Sequence, residues 1–192
     1  MNRRSQGERT ETTRAALVQA ARGLFEERGY AGTGTPEIVA AAKVTRGALY
    51  HHFTDKAELF EAVARQLAQE VADEIARQAS GHSDPVEALM AGAQAYFAAM
   101  ARQGRARLLL LEAPAVLRAE QVMALSDVAG LGALQEGLQE ALRGDDKTAV
   151  PLRELVVLLS AAFDRAALAI ARGESAAPYE QAIRLLLSRL VA

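Results

Sequence analysis

The sequence predicts an all-α protein, and three observations predict it. Apolar residues make up 51% of the chain while aromatics supply only 5%, and the apolar positions are mostly Ala and Leu, which favour helix over strand. Those positions recur at the three- and four-residue spacing of a helix face, with no alternating run of strand type. Between the periodic stretches stand helix-start signals, a Thr or Asp followed by Pro or Glu.

The elements follow in order. Leu17, Ala21, Leu24 and Phe25 share one face and end at Gly29, a natural C-cap, so a first helix runs from Thr13 to Arg28. Thr35-Pro36-Glu37 opens a second, with Thr as N-cap, Pro in the first turn and Glu complementing the helix dipole. Its apolar Ile38 and Val39 lead to Ala42, and only Lys43 and Val44 precede Thr45, which caps a third helix reaching Phe53. Asp55 and Glu58 form a capping box for a fourth, to about Ala79. Gly81 to Asp84 breaks the pattern, and Asp84-Pro85-Val86-Glu87 restarts it toward Arg102. Arg105 to Glu112 reads as a short helix stopped by Pro114, and Pro114 to Ser126 and Asp127 to Arg143 as two further pieces. After the polar loop Gly144 to Lys147, Pro151 to Arg172 and Pro178 to Val191 give two apolar helices.

The chain has no Cys, which removes disulfides, thiol nucleophiles and thiolate metal sites. Its three His are His51, His52 and His82, and no HExxH, Gly-x-Ser-x-Gly or phosphate-loop motif occurs. The expectation is therefore a non-enzyme with no cofactor and no metal. No apolar run is long enough to span a bilayer, and the first residues are polar, so a cytoplasmic protein without membrane partners is expected. Net charge is −2, unevenly spread: residues 1–56 carry nine Lys/Arg against six Asp/Glu, while the remainder is acidic. Such asymmetry fits a polyanion-binding module on an acidic body.

Two short helices joined by a very tight connection match a helix-turn-helix. At about 100° per residue, Leu49 and Phe53 fall together toward Leu24, Phe25 and Ile38, while Gly47, Tyr50 and His51 fall on the opposite face. Thr45, Arg46 and Gly47 then stand where a recognition helix meets phosphates and base edges. Taken singly, Tyr50, His51 and His52 fit the surface or core of any helical bundle equally well.

From Gly29 to Leu59 the stretch GYAGTGTPEIVAAAKVTRGALYHHFTDKAEL resembles the DNA-binding signature of the tetracycline-repressor (TetR) family. Gly29, Tyr30, Thr33, Ile38, Ala42, Val44, Thr45, Gly47, Leu49, Tyr50, Phe53, Lys56 and Leu59 fall at the family's spacing. The resemblance implies about nine helices: a three-helix DNA-binding head and a C-terminal domain for dimerisation and an inducer. It implies phosphate or base contacts from Thr35, Thr45, Arg46, Gly47, Ala48, Tyr50, His51 and Lys56, with Phe53 in the core. Two positions depart from the pattern. Lys43 stands where the family usually has Gly, which predicts a non-Gly residue at positive φ, and Thr35 stands where an aliphatic residue is commoner. LLLLEAPAVL, Leu108 to Leu117, is similar to a segment in one group of these regulators. The organisation expected is a DNA-binding domain over 1–54 and a ligand-binding and dimerisation domain over 55–192, opening with a connecting helix over 55–79.

Leu152, Leu155, Val156, Leu159, Phe163 and Ile170 stripe the penultimate helix, and Ile183, Leu186, Leu187 and Leu190 the last. Of these, Leu152, Leu155, Val156, Leu159, Ile183, Leu186, Leu187 and Leu190 are the candidate homodimer interface; the alternative to it is a monomer core using the same stripes. A ligand cavity is sought among Met90, Tyr96, Phe97, Met100, Leu109, Val116, Leu117, Met123 and Phe163, long or aromatic side chains able to line an apolar space. Glu112 and Asp164 interrupt apolar runs, either to hold a polar or cationic group or to cap and pair with Arg105, Arg107 or Arg165. The function expected is a repressor released from double-stranded operator DNA by a small apolar or amphipathic inducer. The alternatives are an activator or ligand-independent DNA binder and, from another class, a helical small-molecule carrier.

Overall fold

The computed structural model describes residues 6–142 and 151–191. Among them are nine helices: α1 (Gln6–Arg28), α2 (Thr35–Ala42), α3 (Arg46–His52), α4 (Lys56–Ala79), α5 (Pro85–Met100), α6 (105–116), α7 (119–141), α8 (Leu152–Ala171) and α9 (Ala176–Val191). The expected loop Gly144 to Lys147, and Arg143 at the end of the piece preceding it, lie outside the described residues.

Local chemistry accounts for most boundaries. Asp55 Oδ1 accepts from Glu58 N at 2.8 Å and Asp84 Oδ1 from Glu87 N at 2.9 Å, so both expected N-caps form. Replacing Asp84 by Ala removes one such bond from α5, which is expected to cost about 1 kcal/mol and lower the melting temperature by about 2–4 °C in a thermal scan. The start of α2 is one residue earlier than expected. Gly34 is the N-cap, Thr35 is already helical, and Glu37 Oε2 accepts from Gly34 N at 2.9 Å. Lys43 adopts φ 55° and ψ 40°, as its place in the tight turn requires, at about 1 kcal/mol relative to Gly.

α1 starts well before Thr13, because the polar stretch 6–12 carries no apolar periodicity to reveal it. α6 does not stop at Pro114. The chain widens to a π-helical turn over Leu108–Glu112, Ala113 N bonds Leu108 O, and regular helix resumes through Val116. A wider turn just ahead of Pro114 accommodates the ring and the missing N–H without ending the helix. The two pieces expected over 114–143 are likewise one helix, α7, kinked at Gly130 (φ 147°).

The core is continuous from head to body. Leu17, Ala21 and Phe25 of α1 close on Ile38, Leu49 and Phe53, and α4 enters the same core with Leu59, Phe60 and Val63. Phe25, Tyr30 and Phe60 form an aromatic trio with ring centroids 5.1–5.9 Å apart.

α6 ties the body to the end of α1. Arg107 Nη2 donates to the carbonyls of Phe25 at 2.9 Å and Glu26 at 3.1 Å, and Glu112 Oε2 accepts from Tyr30 N at 2.7 Å. Glu26 O is one of the orphan carbonyls of the α1 C-terminus, and Phe25 O, which also accepts from Gly29 N at 2.8 Å, takes Arg107 as a second partner. Arg105, only 1% exposed, pairs with Glu70 of α4 at 2.6 Å, and Glu70 is also gripped by both arms of Arg22 from α1. Gly104 (φ 75°) lets this junction close, since a Cβ there would lie 2.5 Å from Glu26 O.

Candidate nucleic-acid interface and ligand cavity

The head presents one face of α3 outward. Leu49 and Phe53 are buried, whereas Thr45, Arg46, Gly47, Tyr50 and His51 are exposed and Ala48 is partly so. This is the division expected from helical geometry. Thr45 Oγ1 accepts from Ala48 N at 3.2 Å, fixing the first turn. The Arg46 guanidinium lies 5.5 Å from the centre of the Tyr50 ring. The Tyr50 hydroxyl is held below the usual tyrosine pKa, first by Thr35 of α2 and then by Arg46. Exposed Arg46 and Tyr50 of α3 and partly buried Thr35 of α2 thus lie near one another across both helices. A Cβ on Gly47 would meet no atom nearer than Thr45 Oγ1 at 3.9 Å, so the fold itself does not require glycine at this position.

Lys56 is placed differently from the rest of that set. Its ammonium donates to the carbonyls of Tyr30 at 2.9 Å and Thr33 at 3.1 Å and sits 3.9 Å from the centre of the Tyr30 ring. Two of its three donors hold the turn between α1 and α2, and the side chain is partly buried.

In the body a cavity of about 400 Å³ opens between α4, α5, α6, α7 and α8, within the size range of small-ligand sites. Of the expected lining, Tyr96, Met100, Leu109, Met123 and Phe163 are there. Met90, Phe97, Val116 and Leu117 are not among the lining residues: Met90 and Phe97 are 1% exposed in the core, and Val116 and Leu117 pack against it. Sequence reasoning missed Ile75 and Leu134, and above all Gly92, Gly130 and Gly137. A search for large side chains misses these glycines, which let the walls pack closely: a Cβ on Gly130 would lie 3.2 Å from Ile75 Cδ1 and one on Gly137 2.5 Å from Leu89 Cδ2.

Asp164 lines the cavity and accepts a hydrogen bond from Tyr96 Oη. Burial, then the Asp164 charge, raises the Tyr96 phenol far above the ordinary tyrosine range. Burial likewise raises Asp164, with the Tyr96 hydrogen bond acting against it. Glu112 takes the alternative role weighed for it: it caps Tyr30 N and pairs with Arg107 at 3.2 Å.

The last two helices correct the interface expectation. Val156, Leu159, Ile183 and Leu187 are buried within the subunit, and Leu152, Leu155 and Leu190 pack against its core; of the eight, only Leu186 is among the exposed residues. α8 and α9 are amphipathic the other way as well. Leu158, Ala161, Ala162 and Arg165 form an outward stripe on α8, and Ala182, Leu185, Leu186 and Arg189 repeat that spacing on α9. Leu158 is 70% and Leu185 61% exposed.

Residues 86–192 match the family described as tetracyclin repressor-like, C-terminal domain, and residues 17–63 match the bacterial regulatory proteins of the tetR family. The chain belongs to the TetR family. Among curated TetR-like relatives, the HTH-type transcriptional regulator TtgR of Pseudomonas putida is 45% identical over 82 residues, 43% of this chain and 38% of that protein. HbdR of an Aromatoleum species is 32% identical over 117 residues, 61% of this chain and 51% of that protein. The chain therefore spans well under two-thirds of the curated relatives it matches. A TetR-family transcriptional regulator from Pectobacterium atrosepticum has the same fold at TM-score 0.69 and 28% identity, over 97% of this chain and 95% of that one. FadR from Bacillus subtilis, solved in complex with stearoyl-CoA, shares the fold at TM-score 0.77 and 16% identity, over 90% and 96% of the two chains. Among the described residues no TetR helix here is long and apolar enough to cross a membrane, and no group of His, Asp and Glu is arranged to hold a metal ion.

Proposed function

We propose that this TetR-family chain is a sequence-specific DNA-binding regulator acting as a homodimer, with residues 1–54 as the DNA-binding head and 55–192 as the body that dimerises and binds ligand. The observation that carries the reading is the outward face of α3. Arg46 and Tyr50 face solvent there, away from the buried Leu49 and Phe53, with the partly buried Thr35 of α2 beside them. Arg46 suits a guanine edge or a phosphate, Thr45 and Tyr50 suit phosphates, and Gly47 lets a backbone approach closely. Lys56 supports the turn beneath the helix.

Genome-wide pull-down of DNA by the purified protein, followed by titration of the recovered site, tests this. Arg46→Ala is expected to weaken that site by about 5- to 150-fold, the equivalent of about 1–3 kcal/mol, and to relax its base preference. Tyr50→Phe is expected to weaken all sites more evenly. Affinity and preference untouched by Arg46→Ala would show that α3 is not the reading helix.

The finer reading is a repressor released by a small molecule in the body cavity. α4 runs from the head to that cavity, where Ile75 and Ala79 line it. Two heads of a dimer must meet successive major grooves about 34–36 Å apart, so a small splay misaligns one of them. By linkage, a ligand that weakens DNA binding is itself bound more weakly by the DNA complex, by the same factor. The FadR neighbour was solved with stearoyl-CoA; the cavity here supports a smaller ligand with a mainly apolar body.

A further inference from the structure

The cavity contains one electrostatic feature that its apolar walls do not explain. The Asp164 carboxylate opens onto it, and the Tyr96 hydroxyl is the hydrogen-bond donor the structure gives it. A carboxylate offers about four acceptor positions. No Lys, Arg or His stands among the described residues that line the space, and no ion pair to Asp164 is found among the described residues. A half-buried carboxylate without a cation is costly to keep ionised, which is why burial pushes its pKa up. Asp164 meets Tyr96 through the phenol hydroxyl, and Tyr96 and Phe163, which line the same space, stand edge to face with centroids 6.4 Å apart. A carboxylate with no basic partner, in an apolar chamber that aromatic side chains also line, attracts positive charge on a hydrophobic body. A metal ion is a poor fit, because it demands several oxygen donors and Asp164 is the sole carboxylate among the described lining.

We propose that the cavity takes a bulky organic monocation, a hydrophobic ammonium, whose charge sits between Asp164 and the Tyr96 and Phe163 rings while its apolar body rests on Ile75, Leu109 and Leu134. This rests on reading the cavity as a ligand site, and deepens it by naming the ligand class. The cation supplies the counter-charge that the walls lack. An anionic ligand, a thioester of coenzyme A included, would bring its phosphates to a carboxylate with no basic side chain among the described lining to receive them.

The test uses three naphthalene probes of one shape, followed by their own fluorescence anisotropy on the full chain. They are (1-naphthylmethyl)trimethylammonium, its neutral carbon isostere 1-neopentylnaphthalene, and 1-naphthylmethanesulfonate. The ammonium is expected to bind at least tenfold more tightly than the neutral isostere, with the sulfonate weakest. Asp164→Asn is expected to weaken the ammonium at least tenfold and to leave the neutral probe within about twofold. If Asp164→Asn does not fold, the order of the three probes on the wild-type chain decides the matter alone. A neutral probe that binds as tightly as the ammonium, or a sulfonate that binds more tightly, overturns the cation assignment while the cavity stands as a ligand site. Binding of none of the three overturns both.

Discussion

A glutamate at Leu158 is expected to split a two-fold dimer and leave the subunit folded, whereas a glutamate one residue on, at Leu159, is expected to unfold it. The two positions are about 100° apart around α8, one turned to solvent and one to the core: Leu158 is 70% exposed in the subunit and Leu159 7%. On α9, Leu185 (61%) and Leu187 (0%) make the same contrast. In a symmetric interface each substitution places two carboxylates in the apolar seam. Loss of a central apolar contact costs about 2–4 kcal/mol, roughly a 30- to 1000-fold weaker association. At Leu159 or Leu187 the carboxylate would instead be driven into a packed core, at a cost comparable with the whole stability of a domain once the lost packing is added. Sedimentation equilibrium, paired with circular dichroism, separates the outcomes. A monomeric parent protein, or a Leu158→Glu/Leu185→Glu chain that stays dimeric, would dispose of the outward stripes as the interface.

The second large effect is expected at Glu70. Its carboxylate faces Arg22 of α1 and Arg105 of α6, and Arg105 is 1% exposed. Glu70→Ala strands that guanidinium. Breaking a buried pair from one side costs about 3–5 kcal/mol, and the lower end, about 3, applies because the Glu70 side chain itself is 32% exposed. A fall of about 6–12 °C in melting temperature follows. Glu87→Ala, which breaks an ion pair with Arg184 whose members are 50% and 47% exposed, is expected to change stability by less than about 0.5 kcal/mol. The pH dependence has a definite sign. Burial raises the Glu70 pKa, but the Arg22 hydrogen bond and the charges of Arg22 and Arg105 outweigh it, leaving a value below the ordinary 4.5. A depressed carboxylate stabilises the fold above its unfolded pKa and loses that contribution as pH falls through the folded value. Urea titrations should therefore show the gap between wild type and Glu70→Ala at neutral pH, and show it closing in acid. A gap below about 1 kcal/mol at neutral pH would mean that Arg105 is satisfied without Glu70.

What could be read from the sequence follows from which physical signals are local. The caps at Asp55 and Asp84 are, because a side chain finds a donor three residues on; the strained turn residue Lys43 was legible only through the family resemblance, since nothing in a Lys itself signals positive φ. The division of α3 into buried Leu49 and Phe53 and exposed Tyr50 and His51 is also local, a matter of helical pitch. Pro114 misled because a π-turn just upstream absorbs it, and that turn depends on α6 packing between head and body. The α8 and α9 stripes misled because those helices are apolar on two faces, and periodicity alone does not say which face a neighbour covers. The cavity was half legible. Its aromatic and Met lining stands out, whereas Gly92, Gly130 and Gly137 contribute a close approach to Ile75 and Leu89 that only the assembled helices reveal.

The joint between head and body also differs from the head's outer surface in its response to dissolved ions. At physiological ionic strength, charges more than about 8 Å apart in water are largely screened, while buried pairs are hardly affected. Arg46 and the open end of Tyr50 stand in that screened medium. Arg105 is sealed, and Arg107 holds the end of α1 through main-chain carbonyls, short ion–dipole contacts whose acceptors are neutral and which salt weakens less than it weakens separated charges. Concentrated salt therefore fades the outer charges and leaves the hinge of the molecule clamped. A wash strong enough to strip a polyanion from the head should leave the head seated on the body, and binding lost in that way should return on dilution without any refolding step.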